Sequence, residues 1–130
     1  MKTSTIILAF LIIATVYAGA YISYFHVRSE SDNIRLEWQT GDESNLQSFV
    51  IERKTPQSSY IEIETIQPKG SNSYYSYLDQ NVYKSTDVIF NYRLKLVDND
   101  GKITYSYETT VSHSISGVKR TWGSIKAMFR

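Results

Sequence analysis

The sequence predicts an all-β protein, a two-sheet sandwich of seven short strands, and three observations carry that expectation. Valine, isoleucine, threonine and tyrosine are abundant, whereas alanine and the strong helix formers are scarce outside the two ends. That bias suits a pleated, half-buried surface. Apolar and polar residues then alternate in short runs, the signature of strands with one wet face. Finally, clusters of Gly, Pro, Asn, Asp and Ser separate the runs at regular spacing, as in sandwiches built from hairpins.

The first strand is expected at residues 22–27, Ile-Ser-Tyr-Phe-His-Val. The second, 33–39, sends Ile34, Leu36 and Trp38 one way and Arg35 and Glu37 the other, with Trp38 a large core anchor. Thr40-Gly41-Asp42-Glu43-Ser44-Asn45 has turn composition. The third strand, 49–54, turns Phe49 and Ile51 inward and is ended by Pro56-Gln57-Ser58-Ser59. The fourth, 61–65, alternates again, with Glu62 and Glu64 on one solvated face, and Pro68-Lys69-Gly70-Ser71-Asn72 closes it. The fifth is Tyr74–Leu78. The sixth, 90–96, is the longest alternation, with Phe90, Tyr92, Leu94 and Leu96 inward and Arg93 and Lys95 wet. The seventh, 103–108, places Tyr105 and Tyr107 on one face.

Between the last two strands stands Asp98-Asn99-Asp100-Gly101, which invites comparison with a calcium loop. A helix-loop-helix calcium site needs its glycine sixth and a glutamate twelfth. Here the glycine is fourth, and the twelfth residue from Asp98 is Thr109. Asp-Gly between alternating strands instead signals a hairpin whose two central residues accept positive φ. No metal site is implied.

The two ends differ from the body. Residues 1–20 join Lys2 to an apolar run of about twelve residues and an Ala-x-Ala ending, the form of a secretory signal peptide cleaved after Ala20. The alternative is an uncleaved anchor, since no charge falls between Lys2 and Arg28. Either way the domain at 21–117 is exported: periplasmic, at the outer membrane or cell surface, or secreted, and inner-membrane anchored if the segment stays. Residues 118–130 carry a helical stripe of Val118, Trp122, Ile125 and Phe129 beside Lys119, Arg120, Lys126 and Arg130. The charge is segregated: residues 21–117 hold 9 basic and 13 acidic side chains, and the tail holds 4 basic and none acidic. The tail is expected to be a short amphipathic helix. It serves either as a tether or sorting element for an anionic membrane surface or partner groove, or as a cover folded onto its own acidic domain. Gly123 and its short length make it a helix that forms only against a surface.

Two stretches also carry a family likeness. "IRLEWQTGDESNLQSFVIER" and "NYRLKLVDNDGKITYS" resemble the bacterial fibronectin type III-like domains of exported Bacteroidetes and Chlorobi-group proteins. The matching residues are Leu36, Trp38, Thr40, Glu43, Ser44, Asn45, Phe49, Ile51, Glu52 and Arg53, then Tyr92 through Lys95, Val97, Asp98, Asp100 and Gly101. The resemblance covers about residues 22–112 and implies a seven-stranded fibronectin type III-like (immunoglobulin-like) sandwich. It further implies that Trp38 and Tyr92 are core residues, Tyr92 as a corner tyrosine whose hydroxyl bonds backbone. Val50 stands where a polar residue is usual, so its face is expected to be covered. Members of that group usually sit within long multidomain chains, often ahead of a sorting domain; a short basic helix occupies that place here.

Composition and motifs narrow the function classes. There is no cysteine, hence no disulfide, thiolate site or cysteine nucleophile. No nucleophile elbow, His-Glu-x-x-His or phosphate loop is present, and the two histidines, His26 and His113, lie near opposite ends of the body. His26, alternating with Tyr24 on the first strand, is read as a satisfied edge residue rather than a base. The acidic body and short basic tail argue against nucleic acid. No cofactor is implied. The candidate recognition surface is tyrosine: Tyr74, Tyr75, Tyr77 and Tyr83, with Ser71, Asn72 and Ser73 among them, extended by Tyr105 and Tyr107. The competing explanation is a tyrosine-rich strand, whose alternation buries either Tyr74 or Tyr75. The expected function is a non-enzymatic envelope module for adhesion, scaffolding or assembly, with a protein or glycan partner and with self-association open. The alternatives are a carbohydrate-binding module using exposed tyrosines, and a hydrolase or hydrolase accessory whose site has no recognised motif.

Overall fold

The computed structural model describes residues 21–82 and 88–114. The expected signal or anchor segment at 1–20, Tyr83 and the expected helix at 118–130 lie outside the described residues. The chain forms β1 (Ile22–Glu30), β2 (Asn33–Thr40), β3 (Leu46–Lys54), β4 (Ile61–Ile66), β5 (Tyr74–Asp79), β6 (Ile89–Asp98), β7 (Ile103–Tyr105) and β8 (Thr109–Ser112). Two antiparallel sheets result. One has the order β1-β2-β5; the other runs β4-β3-β6-β7, with β8 also on β6.

Alternation decides which residues meet between the sheets. Ile34, Leu36 and Trp38 of β2 are fully buried, as are Phe49 and Ile51 of β3 and Phe90, Tyr92, Leu94 and Leu96 of β6. Trp38 stacks on Tyr75 at 5.1 Å and 5°, and Phe49 meets both rings edge-on at 5.6 and 5.0 Å. Such aromatic pairs add about 0.5–1.5 kcal/mol beyond their buried area. Opposite Trp38 across the ladder is Tyr75, so of the two adjacent tyrosines it is Tyr75 that turns inward and Tyr74 that faces solvent.

The expected seventh strand, 103–108, ends at Tyr105, and an eighth strand that was not expected, β8, follows it. β7 pairs β6 through Lys95–Tyr105 and Val97–Ile103, and β8 through Tyr92–Thr109 and Ile89–Ser112. From one pairing to the next, β6 advances three residues and its partner four, which is a bulge. Ser106 bridges the break. Its amide donates to the Leu94 carbonyl at 2.9 Å, and its hydroxyl accepts the Leu94 amide at 2.8 Å. The bulge overturns the expectation that Tyr105 and Tyr107 share a face. Tyr105 lies over the outer face of the larger sheet, whereas Tyr107 crosses to β1. There its hydroxyl donates to the Phe25 carbonyl at 2.6 Å and accepts the Phe25 amide at 2.8 Å. A second bulge, opposite Ile51 and Glu52, separates Glu62 and Glu64, which do not share a face as expected: Glu64 pairs Ile51 and Glu62 pairs Glu52.

Asp98–Gly101 is a hairpin tip. The Asp98 amide donates to the Lys102 carbonyl at 2.9 Å, and the Gly101 amide to the Asp98 carbonyl at 3.0 Å. Gly101 alone of the loop has positive φ, 86°, so the connection is a three-residue loop with a left-handed glycine, not the two-residue form expected. Asp98 ends the inward series of β6 and is buried; Asp100 accepts the Lys102 amide at 3.0 Å within its own turn. The two carboxylates are thus set apart and do not converge.

Candidate binding surface

Three of the four carboxylates buried among the described residues, Asp98 being the exception, hold the scaffold, and each decodes part of the sequence pattern. Glu43 accepts the Thr40 hydroxyl at 2.6 Å and the Tyr75 hydroxyl at 2.7 Å, and its own amide donates to Ser71 Oγ at 2.9 Å. Tyr75 also accepts the Lys69 amide at 2.7 Å. The stretch Thr40–Asn45 is therefore a clamp joining the β2–β3 loop to the β4–β5 loop. Burial, reinforced by Glu43, pushes the Tyr75 phenol up to about 12. Gly41 belongs to the same packing: a Cβ there would stand 2.6 Å from the Tyr21 ring.

Asp79 is the second. Arg53 Nη1 lies 2.5 Å from its Oδ2, the Tyr92 hydroxyl donates to the same oxygen at 2.7 Å, and the Asn81 amide meets Oδ1 at 3.2 Å. The corner-tyrosine expectation is corrected here: the Tyr92 hydroxyl bonds a side-chain carboxylate rather than backbone. Burial and then the Asp79 charge hold the Tyr92 phenol well above its ordinary range. Burial opposes the Arg53 charge, and Asp79 more than restores it.

Glu52, the third, opens onto the outer face of the larger sheet. Arg93 Nε donates to Glu52 Oε1 at 2.7 Å, and the guanidinium lies between the rings of Tyr60 and Tyr105, 3.9 and 4.0 Å from their centroids. The Tyr60 hydroxyl donates to Glu108 at 2.7 Å, and burial followed by that hydrogen bond raises its pKa. Lys95 pairs with Glu62 at 3.2 Å. Val50, whose cross-strand neighbours are Lys95 and Thr65, is buried beside this lattice. Lysine stems cover apolar neighbours in this way.

The outer face of the smaller sheet is more open. Its registers align Tyr24, Gln39 and Tyr74 in one row and His26, Glu37 and Ser76 in the next. Tyr24 meets His26 edge-on at 5.0 Å. Partial burial, then the Tyr74 phenol and Glu37, raise the Tyr24 pKa. Below these rows Arg35 forks onto both oxygens of Glu30 at 2.9 Å, and Arg28 reaches Glu37 at 2.8 Å. The Arg35 hydrogen bond holds the Glu30 carboxyl below its usual range.

The sequence candidates therefore separate. Tyr74, on the smaller sheet's outer face, and Tyr105, on the larger sheet's, are both about half-exposed. Tyr107 is exposed but ties its hydroxyl to β1. Tyr75 is enclosed by the core, and Tyr77 packs against it. Tyr83, Lys119, Arg120, Trp122, Ile125, Lys126, Phe129 and Arg130 lie outside the described residues. The sequence did not single out Tyr24, Tyr60 or Arg93. Only the strand pairing, which brings β1, β5 and the chain before β4 alongside their neighbours, could have found them.

Among solved structures the chain is similar to an Fn3-like protein from Clostridium thermocellum, at 21% identity over 76% of this chain and 97% of that one, with a TM-score of 0.53. The fold is fibronectin type III-like. Pectate lyase PelI from Erwinia chrysanthemi contains a similar part, at 16% identity and a TM-score of 0.53, with 71% of this chain and 28% of the lyase covered. A β-1,2-glucanase from Parabacteroides distasonis does so at 12% identity and 0.51, with 78% and 13% covered. The chain thus spans about a quarter or less of those two enzymes, and nearly all of the fibronectin type III-like protein. No family model matches it, and no curated protein matches it in sequence. These likenesses show the fold, a fibronectin type III-like β-sandwich.

Proposed function

We propose that this fibronectin type III-like chain is a non-enzymatic, exported binding or structural module of the cell envelope, with the basic segment at 118–130 as its tether or sorting element. The observation that supports it most is how the domain uses its ionisable groups. Glu43, Glu52 and Asp79 are each bonded to side chains that join strands or loops, which makes a frame and leaves the outer face of the smaller sheet open to partners. The resemblance to modules of exported Bacteroidetes and Chlorobi-group proteins supports the same placement. Removing residues 118–130 is expected to release the protein from the envelope fraction while its thermal unfolding stays unchanged. Retention of the truncated chain would assign the tether elsewhere.

The row Tyr24–Gln39–Tyr74 favours glycan binding as the second reading. Strands lie about 4.8 Å apart, so the two tyrosines stand on strands about 10 Å apart with an amide between them. That span is comparable with a disaccharide, and exposed rings with an adjacent hydrogen-bonding amide suit sugar faces and hydroxyls. Tyr24→Ala and Tyr74→Ala are each expected to abolish retention on the polysaccharide that the native chain binds, at unchanged stability. Binding unaffected by both substitutions would remove this face from consideration.

A further inference from the structure

A sandwich of this order has four sheet edges, and unpaired edges recruit other strands unless something blunts them. Three of the four are blunted here. On β1 the Phe25 amide and carbonyl both engage the Tyr107 hydroxyl, and Ser29 Oγ stands 2.7 Å from His113 Nδ1 and 3.2 Å from the Ser112 carbonyl. The β7–β8 edge is broken by its bulge. β4 carries a bulge and two glutamates, Glu62 and Glu64. β5 has neither. Its Tyr74-Tyr75-Ser76-Tyr77-Leu78 run is uncharged, and its register with β2 is unbroken from Tyr74 to Asp79.

The ladder shows which β5 groups face outward. The Thr40 amide donates to the Ser73 carbonyl, so Thr40–Ser73 is a hydrogen-bonded pair. Such pairs alternate in an antiparallel ladder, so Tyr75, Tyr77 and Asp79 also bond β2. The amides and carbonyls of Tyr74, Ser76 and Leu78 then point away from the sheet. The Tyr74 carbonyl accepts Lys69 Nζ; the others meet no partner among the described residues.

We propose that β5 pairs with β5 of a second copy, antiparallel and about a two-fold axis at Ser76, joining the two three-stranded sheets into one of six. This rests on the fold and its edges, independently of the function proposed above. The outward groups fit themselves in that register: Ser76 pairs with Ser76, and Tyr74 pairs with Leu78 of the other copy twice. The small residue sits on the axis, and an aromatic ring lies beside an aliphatic side chain on either side, a favourable cross-strand pairing. No like charges oppose each other. Self-pairing of β4, which carries Glu62 and Glu64, would instead bring like charges of the two copies together.

The register can be tested directly because the chain contains no cysteine. A hydrogen-bonded antiparallel pair brings its Cα atoms to about 5.5 Å, within disulfide reach. Full-length Ser76→Cys, purified in mild detergent and oxidised, is therefore expected to form a reducible dimer. Leu78→Cys is expected to stay monomeric, because the two copies of Leu78 would lie about 13 Å apart along the strands. Glu64→Cys on the blunted edge is also expected to stay monomeric. Independently, sedimentation equilibrium of the unmodified chain is expected to show a concentration-dependent doubling of mass, which Ser76→Lys removes by placing two ammonium groups on the axis. Cross-linking of Ser76→Cys no stronger than that of Glu64→Cys would overturn the proposal. So would preferential cross-linking through Leu78→Cys, or an unmodified chain that is monomeric at every concentration.

Discussion

Replacing Arg53 by alanine is expected to lower the unfolding free energy by about 3–5 kcal/mol, the loss that follows when one partner of a buried ion pair is removed. Asp79 is 1% exposed, and its Oδ2 is shared by Arg53 and the Tyr92 hydroxyl. Without the guanidinium, a carboxylate stays in the core with only a phenol and an amide to stabilise its charge. The three residues come from β3, β5 and β6, so the cluster spans both sheets. Its loss should therefore weaken sheet-to-sheet packing rather than one strand. Urea unfolding measures this as a lower midpoint at unchanged slope. For a domain stable by about 5–15 kcal/mol, the variant would stand close to the folding threshold. The pair Arg53→Met with Asp79→Asn should recover part of the loss, because it removes the stranded charge along with its partner. A loss under about 1 kcal/mol for Arg53→Ala would put the pair in the range of solvent-screened surface bridges.

The strands and the core were legible because alternation records which face meets the other sheet. Ile34, Leu36, Trp38 and Phe90 through Leu96 needed no knowledge of pairing to be placed. Pairing carries the remainder, and a single sequence does not show it. Tyr74 and Tyr75 have equal claims on the core until Trp38 is seen opposite Tyr75. Arg93 and Glu52 occupy positions that alternate outward, and charged residues there suggest a wet face. They are covered because Tyr60 and Tyr105 arrive from elsewhere in the chain. The bulge at Ser106 left no signal either, since Ser-Tyr-Glu continues the alternation of Ile-Thr-Tyr. One inserted residue was enough to send Tyr107 to β1 and Tyr105 to Arg93. The Thr40–Asn45 stretch could be recognised as a motif, but its physical meaning, a loop clamp through buried Glu43, required the β4–β5 loop to be in place.

Arg93→Ala is expected to cost about 3 kcal/mol, near the lower end for a buried pair because the guanidinium itself is partly wet. Glu52 would lose its charged partner beneath the face, and Tyr60 and Tyr105 would lose the cation between them, a contact worth about 0.5–2 kcal/mol per ring. The two rings are carried by different segments and are joined chiefly through Arg93. Its removal should therefore loosen Tyr105 as well as lower the melting temperature. Arg93→Lys separates the contributions. An ammonium keeps a charge near Glu52 but cannot lie flat between two rings, so it should restore part of the stability and little of the stacking. Ring-current shifts at the residue 93 side chain, read by nuclear magnetic resonance, would report the stack independently of stability. If lysine recovers full stability, the ion pair alone holds this face and the tyrosines are free to meet a partner. If it recovers about half, the stack is part of the frame, and Tyr60 and Tyr105 are committed to it. In that case the proposed glycan reading would rest on the opposite sheet, around Tyr24 and Tyr74.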